Sequence, residues 1–134
     1  MEKKRVLVVD DDDTIVEMLK SGLEILGYNV ETARNHTDAR TVLSQTPPDM
    51  ILMDVGMPDG DGISFCRDIR RSQDGQDIPI LILTAFDDES TYNDAMLFGA
   101  TDFLSKPFEM QDIQTKIETC LLKAKAKKDG RHHS

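Results

Sequence analysis

No stretch of about 18 apolar residues occurs in this 134-residue chain, so no segment reads as a membrane-spanning helix. The opening MEKKRVLVVD is basic, but its apolar run ends after four residues at Asp10, too short for the hydrophobic region of a secretory signal. Both absences point to a cytoplasmic protein without membrane contact. Cysteine is scarce: Cys66 and Cys120 stand far apart in helix-like segments, which excludes a CxxC redox pair and a metal knuckle and leaves two buried thiols as the expectation. Cations are in deficit, 16 Lys and Arg against 25 Asp and Glu, and a net charge of −9 argues against direct nucleic-acid binding. The deficit is uneven. Lys123, Lys125, Lys127, Lys128 and Arg131 against Asp129 give residues 123–134 a charge of +4, leaving −13 for residues 1–122. Apart from the KAKAKK stretch at 123–128 there is no internal repeat or low-complexity block.

What is present suits one domain, since 39% hydrophobic residues over this length are enough for a single core. Short apolar runs alternate with longer amphipathic stretches, the pattern of βαβ units, and five rounds fit the length. Val6–Val9 is β-branched and continuous, as in a strand covered on both faces. Asp13 or Thr14 is expected to cap a helix carrying Ile15, Met18, Leu19, Leu23 and Leu26, which Gly27 ends. Tyr28–Ala33 is a weaker strand, interrupted by Asn29 and Glu31, and a helix over Thr37–Ser44 is closed by Pro47-Pro48. Met50–Met53 is the third strand, followed by Asp54 and a loop over Val55–Asp61 rich in Gly and Pro. A helix with Ile63, Phe65, Cys66 and Ile69, a strand Ile80–Leu83 ending in Thr84, and a helix Glu89–Phe98 stopping at Gly99 come next. A short strand Asp102–Leu104 precedes Lys106-Pro107, and the last helix starts near Glu109.

In an open parallel sheet, ligands bind outside the strand C-termini where the strand order reverses. The residues at those ends are Asp10 and Asp11, then Asp54, Thr84 and Lys106; the second strand offers only Ala33-Arg34. In the flavodoxin-like order 2-1-3-4-5 the first and third strands are neighbours, so three carboxylates meet beside a hydroxyl and an ammonium. Like charges ~4 Å apart repel by about 4 kcal/mol at an effective dielectric near 20, so the cluster needs protons or a cation. All-oxygen ligands without His or Cys suit Mg²⁺. A carboxylate nucleophile with a metal, a hydroxyl and a lysine is what phosphoryl transfer to aspartate requires.

These residues resemble a known family. VLVVDDDD at 6–13, ILMDVGMPDGDG at 51–62, ILTA at 82–85 and FLSKPF at 103–108 are similar to the signature segments of response-regulator receiver domains, the phosphoacceptor modules of two-component signalling. The likeness spans about residues 4–122, so the domain is set at 1–122 and residues 123–134 are a basic helical extension or tail. It implies an α/β fold, a single doubly wound five-stranded parallel sheet in the order 2-1-3-4-5 with five helices. It implies that Asp54 accepts the phosphoryl group and that Mg²⁺ (or Mn²⁺) is held by Asp10, Asp11, Asp54 and the backbone carbonyl of Gly56, with Asp11 the more direct ligand. Thr84 and Lys106 would bind phosphoryl oxygens. Phe103 would turn inward when Thr84 moves, and the Lys106-Pro107 peptide would be cis. Such a domain is not an enzyme in the usual sense but a substrate that assists its own phosphorylation and dephosphorylation. The implied partners are a sensor histidine kinase or histidine phosphotransfer protein, and a phosphorylation-dependent homodimer or effector contact through the fourth helix, fifth strand and fifth helix. No DNA-binding, cyclase or other output domain is read in these residues, so the chain is either a stand-alone receiver or a module of a longer regulator.

Departures from the pattern are few. Gly56 has no side chain where many relatives carry one, and Phe86 is apolar at a position that gates water in the family. Asp12 and Asp13 are read as loop and helix-cap residues, Tyr92 as a surface aromatic, and His132 and His133 as a terminal tail rather than metal ligands. VLVVDDDDT also fits hhhhDxDxT, the first motif of haloacid-dehalogenase-like phosphohydrolases, with Asp10 as nucleophile and Asp12 as acid/base. That reading lacks the later acidic metal-binding motif and a cap domain, and leaves Asp54 unexplained. A third reading is a degenerate receiver that only binds protein, but nothing needed for chemistry is missing. An EF-hand is excluded because the DGDG stretch lacks the ligand spacing and the final Glu.

Overall fold

The computed structural model describes residues 3–57, 60–72, 75–85 and 89–132. Five strands, β1 (Arg5–Val9), β2 (Asn29–Ala33), β3 (Met50–Asp54), β4 (Ile80–Thr84) and β5 (Asp102–Ser105), form one parallel sheet in the order 2-1-3-4-5. The helices are α1 (Asp13–Ile25), α2 (His36–Gln45), α3 (Gly62–Arg71), α4 (Glu89–Leu97) and α5 (Met110–His132). Strand alternation sends side chains to two cores. Leu7, Val9, Ile51, Met53, Ile80 and Ile82 pack with α2, α3 and α4; Val6, Val8, Met50, Leu52, Leu81 and Leu83 pack with α1 and α5. Burial on both faces explains why β1, β3 and β4 read as unbroken apolar runs. β2 stands at the sheet edge with Asn29 exposed, which is why its run is interrupted. Each fully buried Leu, Ile or Met contributes roughly 1.5–3 kcal/mol, against about 1 kcal/mol for a helix cap, so the sheet core dominates the stability.

Local signals mark the ends. The α1 cap is Asp12, not Asp13 or Thr14: its carboxylate accepts from the Thr14 and Ile15 N–H groups. Asp12 has the extended backbone a cap needs, whereas Asp13 is already helical. Asn35, on the same principle, starts α2 one residue before the sequence pattern. Gly27 follows α1 at φ +99°, the left-handed position expected of it. The Gly- and Pro-rich segment after β3 is not wholly irregular, because Gly56–Met57 pairs antiparallel with Gly60–Asp61. Pro58 and Phe86 lie outside the described residues, as does His133. Lys106-Pro107 is cis. α5 runs on through the Lys-rich stretch to His132, so this stretch and His132 continue the helix rather than forming an irregular tail.

A partly buried guanidinium ties the lower end of the molecule together. Arg70, at the end of α3, donates to the carbonyls of Gly75, Ile78 and Gly99 and to Thr101 Oγ1. Burial lowers its pKa from the ordinary arginine range, with Cys66 and Asp77 opposing the shift. Gly99 sits at φ +108°, and a Cβ there would lie 2.7 Å from Arg70 Cγ, so backbone conformation and the Arg70 stem both require glycine. Arg70→Met should lower unfolding free energy by about 2–3 kcal/mol in denaturant titration, because carbonyls of the α3–β4 and α4–β5 connections lose their donor. Arg70→Lys should recover little, since an ammonium cannot span the same carbonyls.

Candidate functional site

The register of the sheet brings the polar residues together. Val9 aligns with Met53 in β1 and β3, so the next residues, Asp10 and Asp54, emerge side by side. Asp54 aligns with Leu83, which places Thr84 one step further along β4, and Thr84 aligns with Ser105, the residue before Lys106. The Lys106 N–H donates to the Thr84 carbonyl at 2.7 Å, holding the end of β5 against β4.

Lys106 Nζ lies 3.0 Å from Asp10 Oδ2 and 3.3 Å from Asp54 Oδ2. Carboxylate oxygens of Asp10, Asp11 and Asp54 all fall within 4.8 Å of one another, the only such acidic group among the described residues. Asp10 is fully buried, Asp54 partly exposed and Asp11 exposed. The cluster is therefore closed at Asp10 and open to solvent at Asp11. Asp10 Oδ1 accepts the Asp12 N–H at 2.9 Å, and the Asp10 N–H donates to Ala33 O, so its carboxylate is fixed. Asp54 Oδ1 accepts a longer bond, 3.3 Å, from the Gly56 N–H. The α3 start approaches the strand end closely. A Cβ on Gly62 would sit 2.6 Å from the Asp54 carbonyl, which accounts for glycine there.

Burial raises the Asp10 pKa above 3.8, with the Asp54 charge adding to the rise, although the Asp12 N–H and Lys106 oppose it. For Lys106 burial alone would lower the pKa. The hydrogen bond to Asp10 and the charges of Asp10 and Asp54 outweigh it, so the net shift is upward. The two groups pull stability in opposite directions with pH. Lys106 contributes below the ordinary lysine range and loses its contribution as pH climbs above it. Ionised Asp10 is a cost at neutral pH, relieved as pH falls through its raised value.

Thr84 is fully buried on the same sheet face as Ile82, which aligns with Phe103 on β5. Thr84 and Phe103 are thus near neighbours on one face of adjacent strands. Phe103 is half-buried, and its ring meets Tyr92 of α4 edge-on at 5.8 Å. Tyr92 is more than the surface aromatic the sequence suggests, because it links α4 to Phe103.

A fold of this kind with this cluster at its C-terminal edge has known relatives, and the sequence profile of the response regulator receiver domain matches residues 6–118. The chain belongs to the response-regulator receiver family. The response regulator MprA of Mycobacterium avium is 38% identical over 126 residues, covering 94% of this chain and 54% of that protein, so the receiver spans about half the length of this curated relative. Chemotaxis response regulator CheY4 of Vibrio cholerae superposes with a TM-score of 0.85 at 30% identity, covering 89% of this chain and 99% of that one. The receiver domain of a sensor histidine kinase from Pseudomonas aeruginosa PAO1, whose structure holds a magnesium ion in the active-site cleft, gives 0.82 at 28% identity over 90% and 98% of the two chains. The receiver is thus a module of two-component signalling.

Sequence reasoning missed two contacts beside the site. Arg34, set aside in the reading of the second strand, reaches α1, its Nε 2.9 Å from Asp13 Oδ1. Asp12, read with Asp13 as a loop or helix-cap residue, does cap α1, and it also anchors Asp10 through its N–H, a contact a string of four aspartates does not show. Lys106→Met should destabilise the metal-free receiver by about 1–3 kcal/mol near neutral pH, because Asp10 is left charged and buried. That loss should shrink on acidification through the raised carboxylate range. Denaturant titrations at several pH values measure both effects, and a pH-independent loss would contradict this account.

Proposed function

We propose that this receiver takes a phosphoryl group onto Asp54 in a Mg²⁺-dependent reaction and passes the signal on through a rearrangement of Thr84 and Phe103. The observation that carries the reading is the single ammonium of Lys106 placed between Asp10 and Asp54 at 3.0 and 3.3 Å within an all-oxygen acidic cluster. Three carboxylates and one lysine leave negative charge uncompensated, and hard oxygen donors with an exposed side fit Mg²⁺ or Mn²⁺. Asp10, Asp11, Asp54 and the Gly56 carbonyl would hold the ion. When bound, it supplies positive charge to the transferred phosphoryl oxygens. The magnesium in the Pseudomonas relative supports this assignment.

The receiver's own residues would act as follows. An Asp54 carboxylate oxygen attacks phosphorus as the N–P bond of a phosphohistidine breaks, and the leaving imidazole keeps the electron pair. Lys106 offers its charge to the phosphoryl group, and Thr84 donates a hydrogen bond to one of its oxygens. The donor would be a sensor histidine kinase or a histidine phosphotransfer protein. The domain is its own substrate, assisting its phosphorylation and dephosphorylation, and is not a turnover enzyme. Drawing Thr84 toward the phosphoryl group opens space beside Phe103, whose inward move would repack Tyr92 and α4. A homodimer or effector would read that change on α4, β5 and α5. Residues 1–122 would form the receiver and 123–134 a helical extension toward an output domain, consistent with relatives about twice as long. No helix among the described residues is long and apolar enough to cross a membrane, and we place the protein in the cytoplasm, without direct nucleic-acid contact by this segment. The haloacid-dehalogenase reading has no support, because the Asp12 carboxylate is used in capping α1 instead of facing the cluster as an acid/base would.

Acetyl phosphate with Mg²⁺ should add one phosphate by intact mass, and Asp54→Ala should add none. Labelling of Asp54→Ala equal to the parent would sink the reading; labelling lost instead with Asp10→Ala alone would favour the dehalogenase scheme. Asp11→Ala should keep Asp54 but lose most of the Mg²⁺ dependence. A second expectation concerns the switch: beryllofluoride should shift the amide signals of Thr84, Tyr92 and Phe103. Unchanged shifts in a receiver that demonstrably binds beryllofluoride would rule out the coupling.

A further inference from the structure

We propose that the cleft at the lower end of the sheet, between α5 and the starts of β4 and β5, binds the phosphate monoester of a small metabolite. α5 is longer than the sheet it covers. Its inner side is apolar as far as Cys120, and Lys123, Ala124 and Lys127 beyond it share a cleft of about 400 Å³ with Arg70 of α3, Pro79 before β4, and Ala100 and Thr101 before β5. That volume suits a small organic ligand. The cleft lies at the opposite end of the strands from Asp54, so it is no part of the acidic cluster.

Its walls hold more donors than acceptors. Arg70 uses Nε on the Gly99 carbonyl and Nη1 on the Gly75 and Ile78 carbonyls. Nη2 meets only Thr101 Oγ1, at 3.4 Å, which leaves one N–H without an acceptor among the described residues. Thr101 Oγ1 also accepts the Ile80 N–H at 3.0 Å, so both its lone pairs are engaged and its own proton is available to donate. Lys127 Nζ stands 3.6 Å from Asp77 Oδ1, too far for a hydrogen bond, and Lys123 has no ion-pair partner among the described residues. Asp102, next to Thr101, is held by Lys116 at 3.1 Å. The described lining thus sets three cations against the single carboxylate of Asp77, a local balance of +2 in a chain of net charge −9. A ligand that complements it brings acceptor oxygens and about two negative charges, and a phosphate monoester carries roughly −1.5 to −2 at neutral pH. The donors come from α3, the approach to β5 and α5, three directions that a tetrahedral phosphoryl group meets at once and a planar carboxylate does not. Pro79, Ala100 and Ala124 give the organic part an apolar wall that inorganic phosphate would leave bare.

Isothermal titration calorimetry on the whole chain tests it, in EDTA to keep metal out of the acidic cluster. The probes are glycerol 3-phosphate and AMP as esters, inorganic phosphate as the bare ion and adenosine as the control without phosphate. At least one ester should bind more than threefold tighter than inorganic phosphate, and adenosine should not bind. The bound ester should shift the amide signals of Thr101, Lys123 and Ala124 and leave those of Asp54, Thr84 and Lys106 in place. Lys123→Gln and Lys127→Gln should each weaken binding at least threefold, whereas Asp77→Asn, which removes the competing carboxylate, should tighten it. Glu17→Gln, the same change of charge on α1, should alter it less than twofold. Circular dichroism and melting temperature check that each variant is folded. Absence of binding by both esters at millimolar concentration would overturn the proposal, as would lysine variants that bind as the parent does. Inorganic phosphate binding as tightly as both esters would assign the cleft to the free ion, and shifts confined to Asp54, Thr84 and Lys106 would place the ester at the acidic cluster; either result equally overturns it.

Discussion

The buried carboxylate of Asp10 sets the conditions for everything around it. A fully buried aspartate costs several kcal/mol unless paired, and the only described cation within salt-bridge distance is Lys106, which arrives at the end of β5, 96 residues later in the chain. Bringing that ammonium across requires β3 and β4 to lie between in register, and requires the main-chain bond from Lys106 to Thr84. Asp54, one strand over, shares the same cation. The pairing leaves Asp11 facing solvent, so the strand edge is an acidic cluster open to solvent rather than a closed salt bridge.

The apolar architecture serves that edge. Strands buried on both faces allow no slippage, because a shift of one residue would send every core side chain to the wrong layer. Asp10, Asp54 and Thr84 are therefore held by the burial of Val9, Met53 and Leu83 before them. At the other end of the sheet Arg70 holds the loops around α3 and α4 by hydrogen bonds to carbonyls. Near the start of α4, Tyr92 meets Phe103 of the sheet edge-on. α5, on the opposite layer, is packed along its inner side by Ile113, Ile117 and Cys120.

Much of this was legible in the linear chain. The β1, β3 and β4 runs, Gly27 and Gly99, and the positions of Asp10, Asp11, Asp54, Thr84 and Lys106 followed from patterns short enough for local physics to dominate: burial on both faces, left-handed helix ends, and the rule that parallel strands finish on one edge. The α1 cap was misplaced by one residue because four consecutive aspartates look alike, and only backbone conformation separates Asp12 from Asp13. The short ribbon after β3 was hidden by Gly and Pro, which signal turns without showing whether their flanks pair.

The amino-acid sequence by itself determined which chemistry is present, because side-chain type needs no neighbours, and its resemblance to receivers ordered that chemistry in space. Only the tertiary structure decided the interactions that depend on long-range distance. These are the division of Lys106 between two carboxylates, the four contacts of Arg70, the reach of Arg34 to α1 and the meeting of Tyr92 with Phe103. Each is a contact, or the lack of one, between segments whose separation along the chain carries no information until the sheet register is set, and that register is a property of the whole core rather than of any segment in it.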